Sequence, residues 1–362
     1  MIEYENLGKV NEKLFEQYQN MFDAFLKSGW YILGDNVDQF EKQFSNFCGV
    51  NQCVGVASGL DALILAIDAF EFPKGSEIIV PSNTYIASII AIARNGFKPI
   101  LVEPDIKTYN IDATKIQKSI TKKTKAILVV HLYGKACEMD NISVIASKFH
   151  LKIIEDCAQA HGAKFKDQNV GSFGVGCFSF YPTKNLGALG DAGAITCNDL
   201  KYTQKLRSLR NYGGSKKYFN DDLGYNSRLD EIQAGFLSAK LKVLNKITSH
   251  KRDLAKLYID KLDDRFIKPF VNDDYFDVFH IFNIRHEKRD KLKDFLFKNG
   301  IKTEIHYPLA PHKQKAMKEY IDGDYPISEE IHETTLSLPI SYFHTKEDIT
   351  TICDIMNQWD NL

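Results

Sequence analysis

The stretch CFSFYPTKNLGALGDAGAI, residues 177–195, decides the fold of this chain. The segments Cys177–Phe180, at its start, and Ala194–Cys197, which begins at its end and continues two residues beyond, have the apolar, β-rich composition of buried strands. Too few residues separate these two strands for a crossover helix, so one of them is expected to run antiparallel to its neighbours. The segment between them is rich in glycine and carries Lys184.

Short apolar runs also alternate with helical patterns on the N-terminal side of this stretch. Five further strands are predicted there: Gln52–Ala57, Glu77–Pro81, Pro99–Val102, Ala126–His131 and Lys152–Glu155. These runs are apolar on both faces, and helical patterns separate most of them. They therefore predict an α/β fold with a mostly parallel, seven-stranded sheet covered by helices.

The regular alternation of apolar runs and helical patterns ends after about Leu244. A long charged helical segment, Glu231–Leu262, leads into fewer predicted strands, Val278–Arg285 and Thr303–His306. Amphipathic helical patterns such as Lys288–Lys298 accompany them. The sequence thus predicts a large α/β domain over residues 1–245 and a smaller α+β domain over residues 246–362.

Composition excludes several classes of protein. The 362 residues include 46 Lys+Arg and 47 Asp+Glu, so the basic excess of nucleic-acid-binding proteins is missing. The first residues do not resemble a secretory signal, and no apolar run approaches the roughly 20 residues of a membrane span. The seven cysteines form no CxxC pair and favour neither a disulfide framework nor a zinc site. We therefore expect a cytoplasmic protein with no metal centre that binds neither a nucleic acid polymer nor a membrane.

Four segments at predicted strand ends carry side chains suited to chemistry, because parallel sheets bind ligands at their carboxyl edge. In VASGLDALILAI, residues 56–67, a glycine turn starts a helix whose free N–H groups are suited to a phosphate. In KIIEDCAQAHGA, residues 152–163, a strand ends at Asp156. VPSNTYIAS, residues 80–88, places Tyr85 at the same edge, and Lys184 follows another strand.

Each of these features alone is also typical of an ordinary turn, helix cap or surface lysine. No GxGxxG or GxxxxGK[ST] motif occurs in the chain, so a standard dinucleotide site or P-loop has no support. Together, however, a phosphate-binding helix start, a carboxylate, a lysine and an aromatic ring are the parts of a pyridoxal phosphate site. The lysine forms an imine with this cofactor, and the carboxylate keeps the pyridine nitrogen protonated.

The motifs, in their order, resemble the DegT/DnrJ/EryC1/StrS family of sugar aminotransferases. These are pyridoxal phosphate enzymes of the aspartate aminotransferase fold (fold type I), and the resemblance extends over nearly the whole chain. It rests on SGLDAL (58–63), PSNTYIAS (81–88), EDCAQAHGA (155–163), SFYPTKNLGALGDAGAI (179–195), RNYGG (210–214), GYNSRLDEIQAGFL (224–237), HYPLAPH (306–312) and LSLPIS (336–341). It implies a homodimer with shared active sites.

The resemblance also implies roles for individual residues. Lys184 would bind the cofactor covalently and move a proton, and Asp156 would bind the pyridinium N–H. The other cofactor-binding residues would be Gly59, Leu60, Tyr85, Gln159, Ser179 and, reaching the neighbouring subunit's phosphate, Asn226. Leu60 stands where the family commonly has Thr or another small polar residue, so only its backbone N–H carries over. The candidates for the sugar pocket, each with a hydrogen-bonded structural role as the alternative, are His161, Tyr181, His306 and Tyr307.

Four runs bear on the substrate: SGWYILG (28–34), EPDIKTYNID (103–112), HLYGKACEMD (131–140) and RNYGGSKKY (210–218). They resemble the branch that aminates dTDP-linked 3-keto-6-deoxyhexoses for surface glycans, with L-glutamate as the amino donor. The alternatives are a 4-keto sugar on dTDP or UDP, a pyridoxal phosphate-dependent sugar dehydratase, and a regulator that binds the cofactor without turnover. Some relatives with histidine in place of the lysine are dehydratases, so Lys184 favours transamination.

Overall fold

A seven-stranded sheet lies at the centre of the computed structural model, which describes residues 1–216 and 218–360. Its strands are β1 (Gln52–Val56), β2 (Glu77–Pro81), β3 (Lys98–Val102), β4 (Thr124–Val130), β5 (Lys152–Asp156), β6 (Val175–Ser179) and β7 (Gly193–Cys197). They are ordered β1-β7-β6-β5-β4-β2-β3, and β7 alone is antiparallel to its two neighbours. The predicted α/β class and the antiparallel strand are confirmed.

Helices pack on both faces of the sheet. Those that precede or separate its strands are α1 (Leu7–Asn11), α2 (Phe15–Ser28), α3 (Asp35–Cys48), α4 (Gly59–Asp68), α5 (Ile86–Arg94), α6 (Ala113–Ile116) and α7 (Met139–Lys148). Along β4, Ile127 and Val129 belong to one buried core, whereas Leu128 and Val130 belong to the core on the other face. This alternation follows from the two-residue period of a strand and explains why β4 is apolar throughout.

The predicted long helix Glu231–Leu262 is two helices. After α8 (Leu200–Leu209), α9 spans Glu231–Leu241 and α10 spans Leu244–Lys261, with a break at Lys242 and Val243. Helix α9 packs against α2 and α3, whereas α10 packs against a helix near the end of the chain. The chain therefore turns where it leaves the sheet. In residues 1–216 and 218–360, no helix is long and apolar enough to cross a membrane.

The C-terminal part consists of α10, β8 (Phe282–Arg285), α11 (Arg289–Lys298), α12 (Pro326–Thr334), β9 (Thr335–Leu338) and α13 (Lys346–Asn357). Strands β8 and β9 pair antiparallel. The predicted strand Thr303–His306 is wrong, since only Glu304 bridges to Ser337, and β9 was not predicted. Buried residues between Leu254 and Trp359 form a core of their own. This core supports the division near residue 245, which stays a prediction; residues 361 and 362 lie outside the described residues.

The segment around Ile2 packs on this C-terminal core rather than on the sheet. The Ile2 N–H donates to the Gly300 carbonyl at 2.7 Å, and the Lys302 N–H donates to the Ile2 carbonyl at 3.0 Å. Ile2 and Ile301 thereby form a parallel bridge. The segment around Ile2 is thus held against the C-terminal part of the chain by backbone hydrogen bonds.

Candidate active site

A cavity of about 480 Å³ opens at the carboxyl edge of the sheet, and its volume is typical of small-molecule sites. Most of the residues singled out from the sequence line it: Gly59, Leu60, Tyr85, Asp156, Gln159, Ser179, Tyr181, Lys184, His306 and Tyr307. Other lining residues, which the sequence did not single out, include Thr183, Asp191 and His280. The topology brings the residues together because β5, β6 and the start of α4 meet at this edge.

Lys184 reaches the cavity from a turn that follows β6. Its N–H donates to the Tyr181 carbonyl at 2.8 Å, which closes this turn. Burial lowers the pKa of the Lys184 amine to about 8, and the charge of Asp156 opposes this shift. A substantial share of the amine is therefore neutral near physiological pH, which is the form that attacks a carbonyl carbon.

Asp156, the last residue of β5, is buried and held by two donors. The Ser88 hydroxyl donates to its Oδ2 at 2.7 Å, and the Ala158 N–H donates to its Oδ1 at 3.1 Å. Burial raises the pKa of the Asp156 carboxyl, while these hydrogen bonds and the charge of Lys184 lower it. The carboxylate therefore has a fixed orientation at the edge of the cavity.

The Gln159 amide has its orientation fixed from both ends. Its Oε1 accepts the Tyr133 N–H at 2.7 Å, and its Nε2 donates to the Tyr307 hydroxyl at 2.9 Å. Because the backbone N–H of Tyr133 can only donate, the amide oxygen must face it. The NH₂ group is thus presented as a donor beside Tyr307.

The start of α4 approaches the end of β6 closely. Ser58 caps the helix, and its hydroxyl accepts the Asp61 N–H at 3.1 Å. A Cβ atom at Gly59 would lie 2.4 Å from Ser179 Cβ, so only glycine fits there. The N–H groups of Gly59 and Leu60 belong to the first helical turn, where the helix offers them no acceptor, and both residues line the cavity. This arrangement is suited to a phosphate.

Aromatic and imidazole rings form another part of the cavity wall. The half-exposed Tyr85 ring has its centroid 5.0 Å from that of Tyr307. His306 Nδ1 lies 2.9 Å from Ser337 Oγ, and burial together with the charge of Lys184 lowers the pKa of His306 to about 4. The same two causes hold the pKa of His280 well below its usual range. Both imidazoles are therefore neutral at physiological pH. Sequence reasoning missed His280 because it lies within a predicted apolar strand.

Two residues singled out from the sequence lie elsewhere. His161 is fully buried, with its ring centroid 5.6 Å from those of Phe178 and Phe180. Asn226 is exposed, and its backbone bridges to Asn211. Neither residue is among those that line the cavity.

Glu155, next to Asp156, is a buried hydrogen-bond acceptor of the protein itself. Its oxygens accept the N–H groups of Gly171, Phe173 and Gly174 at 2.8 Å each. The Cys137 N–H donates to His131 Nδ1, so His131 Nε2 carries a proton and donates to Glu155 at 3.1 Å. These bonds bring His131 and Glu155 together at the end of β5, where Cys157 also lies close to them.

Residues 12–357 match the sequence model of the DegT/DnrJ/EryC1/StrS aminotransferase family. The chain belongs to this family. This DegT/DnrJ/EryC1/StrS aminotransferase uses pyridoxal phosphate as its cofactor.

Individual relatives of this aminotransferase are similar over almost their full length. The dTDP-3-amino-3,6-dideoxy-alpha-D-galactopyranose transaminase of Aneurinibacillus thermoaerophilus is 50% identical over 361 residues, which cover 99% of each chain. The crystal structure of DesV from S. venezuelae superposes with a TM-score of 0.97 at 37% identity and covers 99% of this chain and 98% of its own. NtdA from Bacillus subtilis, solved with bound PMP, gives a TM-score of 0.90 at 28% identity and covers 98% and 85%.

The cavity fits the cofactor of this aminotransferase family. A lysine with a depressed pKa, a buried carboxylate and a helix start where only glycine fits face the same space. Groups of these kinds are suited to the aldehyde, the ring nitrogen and the phosphate of pyridoxal phosphate. The predicted fold type and the predicted cofactor are confirmed.

Proposed function

We propose that the enzyme transfers the amino group of L-glutamate to a dTDP-linked 3-keto-6-deoxyhexose and forms a dTDP-3-amino-3,6-dideoxyhexose for surface glycan synthesis. The observation that carries this proposal is the 50% identity, over 99% of both chains, to a transaminase named for such a product. The neutral imidazoles of His280 and His306 in the cavity wall support it, because the hydroxyl groups of a sugar ring can form hydrogen bonds with them.

The bound cofactor supplies an electrophilic carbon for the amine and withdraws electrons from the bond that loses a proton. We propose that Lys184 holds the cofactor and, once displaced by the substrate amine, moves the proton as a base and then as an acid. Asp156 accepts the ring N–H and stabilises its positive charge. The N–H groups of Gly59 and Leu60 and the hydroxyl of Ser179 bind the phosphate.

Three further contacts complete the proposed binding site. Gln159 Nε2 donates to the cofactor's ring oxygen, because its other end is fixed by the Tyr133 N–H. Tyr85 lies against the cofactor ring. The sugar contacts the exposed Tyr181 and the part-buried His306 and Tyr307, all of which line the same cavity. His161 has no access to the sugar from its buried position, so we propose that it supports Phe178 and Phe180 instead.

We also propose a homodimer in which Asn226 completes the partner's site. Asn226 is exposed and does not line the cavity of its own chain. Large apolar side chains are exposed close to it in sequence or through backbone bridges, namely Trp30, Tyr31, Ile32, Tyr212, Phe219 and Leu223. An exposed apolar surface of this kind is typical of a subunit interface.

Mixing two inactive variants tests the shared site. A Lys184→Ala chain and an Asn226→Ala chain, refolded or coexpressed together, form mixed dimers with one site that holds both residues. If the sites are shared, the mixture regains up to about a quarter of the wild-type activity. Recovery of none, with dimers present by light scattering, would place Asn226 outside the partner's site.

Substrate competition tests the activity. The purified enzyme with glutamate is offered dTDP-3-keto and dTDP-4-keto 6-deoxyhexoses side by side, and the products are identified by mass spectrometry. We expect the 3-amino sugar and stoichiometric 2-oxoglutarate. Preference for the 4-keto sugar would support the first alternative, and a UDP-linked pair extends the comparison to the nucleotide. Loss of water without 2-oxoglutarate would indicate a dehydratase, and binding without any turnover would indicate a regulator.

The seven cysteines, all buried and unpaired, support the proposed cytoplasmic location, where thiols stay reduced. Nucleotide-linked sugars and glutamate would be available to the enzyme there.

A further inference from the structure

A chain of two hydroxyl groups leads to the Asp156 carboxylate. The Ser88 hydroxyl lies 2.7 Å from Asp156 Oδ2, and Thr84 Oγ1 lies 2.8 Å from Ser88 Oγ. Thr84 is 1% exposed and Ser88 is 0% exposed, and neither is among the residues that line the cavity. Thr84 precedes the Tyr85 N-cap of α5 and Ser88 lies in its first turn, so the start of the helix holds the two hydroxyls next to each other.

The direction of both hydrogen bonds follows from the donors that are present. An ionised carboxylate only accepts, so the single Ser88 proton points to Asp156. Ser88 therefore accepts from Thr84, whose hydroxyl must donate. Hydrogen bonds in such a chain polarise one another, so the Thr84 hydroxyl strengthens the bond that Ser88 makes.

We propose that Thr84 and Ser88 are positioning residues that keep Asp156 ionised and thereby keep the cofactor's ring nitrogen protonated. They act through Asp156 and touch neither cofactor nor substrate. This inference rests on the proposed contact between Asp156 and the ring nitrogen. The segment between the two hydroxyls also carries Tyr85, so one short stretch of chain both faces the cofactor ring and supports its counter-ion.

The two hydroxyls oppose the effect of burial, which on its own favours a protonated Asp156. Besides Ser88, Asp156 accepts a hydrogen bond from the Ala158 N–H. The titratable groups that interact electrostatically with it are Lys184, His131, Tyr307, Cys137, Cys157 and Cys177. None of these groups changes when Thr84 or Ser88 is replaced. A change in the behaviour of the cofactor after such a replacement is therefore transmitted through the hydroxyls.

The sign of the effect can be worked out. A hydrogen bond donated to the ionised form lowers a carboxyl pKa, so its removal raises that pKa and moves the shared proton from the ring nitrogen toward Asp156. The ring then loses positive charge. The nitrogen that joins Lys184 to the cofactor holds its own proton more tightly as a result, and the pKa read from the cofactor's visible absorbance rises.

The test is a pH titration of the visible absorbance of the holoenzyme. We expect Ser88→Ala to raise the spectral pKa by up to about one unit, because the loss of one hydrogen bond to a charged group shifts the carboxyl pKa by roughly that much and only part of the shift reaches the absorbing group. Thr84→Val should raise it by less, and Thr84→Ser, which restores the hydroxyl, should retain the wild-type spectral pKa. A lower melting temperature in Ser88→Ala and Thr84→Val with no change in the spectral pKa would show a structural role only and would overturn the proposal.

Asp156→Asn separates this inference from the proposed function. If Asp156→Asn leaves the spectral pKa unchanged, the contact between Asp156 and the ring nitrogen is wrong. If Asp156→Asn shifts it while Ser88→Ala and Thr84→Val do not, that contact stands and the role of the hydroxyls is rejected. If Ser88→Ala does not bind the cofactor, Thr84→Val and Thr84→Ser decide, because equal spectral pKa values for this pair contradict the proposal.

Discussion

Lys135 Nζ lies 2.6 Å from Asp277 Oδ2, and this ion pair is buried between the sheet and the C-terminal part of the chain. Lys135 follows β4, whereas Asp277 precedes β8. The Lys135 ammonium also lies 4.3 Å from the centroid of the Tyr275 ring. Burial lowers the pKa of Lys135 and raises that of Asp277, and the charge of each partner opposes the shift of the other. Each charge is therefore maintained by its partner.

Removal of one charge of this pair should destabilise the protein strongly. We expect Lys135→Met to lower the free energy of unfolding by about 3 kcal/mol, because it removes the ammonium that contacts the buried Asp277 carboxylate and leaves only the more distant charge of Arg252. Lys135→Met combined with Asp277→Leu should recover most of this loss. Urea denaturation measures both. The exposed pair Lys166–Asp140 provides the control, and an equally small effect of Lys135→Met and Lys166→Met would contradict the argument.

His161 should make the protein sensitive to acid. Burial lowers its pKa from the ordinary 6.5 to about 3, so the unfolded chain binds a proton in this interval that the folded chain does not. The stability that His161 contributes is complete above pH 6.5 and is lost as the pH falls toward 3. We expect its contribution at pH 4 to be roughly 3 kcal/mol lower than at pH 6.5.

The substitution His161→Phe checks this slope. Phenylalanine keeps a ring between Phe178 and Phe180 but takes up no proton, so unfolding curves of the variant should depend less on pH between 6.5 and 4. His150→Gln, at an exposed histidine, is the matched control and should retain the wild-type slope. A wild-type slope in His161→Phe would show that His161 is not the group responsible.

Gly59 should be required for phosphate binding. The Cβ atom of Gly59→Ala would lie 2.4 Å from Ser179 Cβ and would push the start of α4 away from β6. We expect the affinity for pyridoxal phosphate to fall about ten-fold or more, because overpacking of this kind costs 1–3 kcal/mol. Equilibrium titration of the apoenzyme measures it. Gly8→Ala, at an exposed position in α1, should bind the cofactor as the wild type does; equal affinities in the two variants would refute the steric argument.

Lys184 should be essential for the yellow absorption of the holoenzyme and for turnover. Lys184→Ala removes the amine that forms the covalent bond to the cofactor, so the yellow absorption and the release of 2-oxoglutarate should both disappear. Absorption spectra and single-turnover assays measure the two effects. Lys201→Ala, at an exposed lysine of α8, should retain both. Residual turnover in Lys184→Ala would mean that another residue carries the cofactor.

The sequence predicts the sheet and most of the cavity lining because both depend on local patterns. Seven apolar runs predict seven strands, and the short connection between β6 and β7 predicts the antiparallel strand. Residues at the carboxyl ends of parallel strands meet at one edge, which is why Asp156 and Lys184 face the same space. The roles given to these residues follow from the family resemblance and stay predictions.

Contacts between distant residues could not be predicted in this way. Ser88 and Asp156 are 68 residues apart, and a buried serine in a helix carries no signal of its partner. His280 lies in a segment whose apolar pattern indicates only a strand. The break between α9 and α10, at Lys242 and Val243, contains neither proline nor glycine, so the sequence gives no sign of it. The break arises because the two helices pack against different parts of the molecule.

The bridge between Ile2 and Ile301 has a consequence for synthesis on the ribosome. Strands β1 to β7 are complete once residue 197 has emerged, so the sheet can assemble while the chain is still growing. The residues around Ile2 emerge before these strands but find their partners, Gly300 to Lys302, only when nearly three hundred further residues have been made. The segment around Ile2 therefore docks later than the sheet strands, and it closes a loop of nearly three hundred residues.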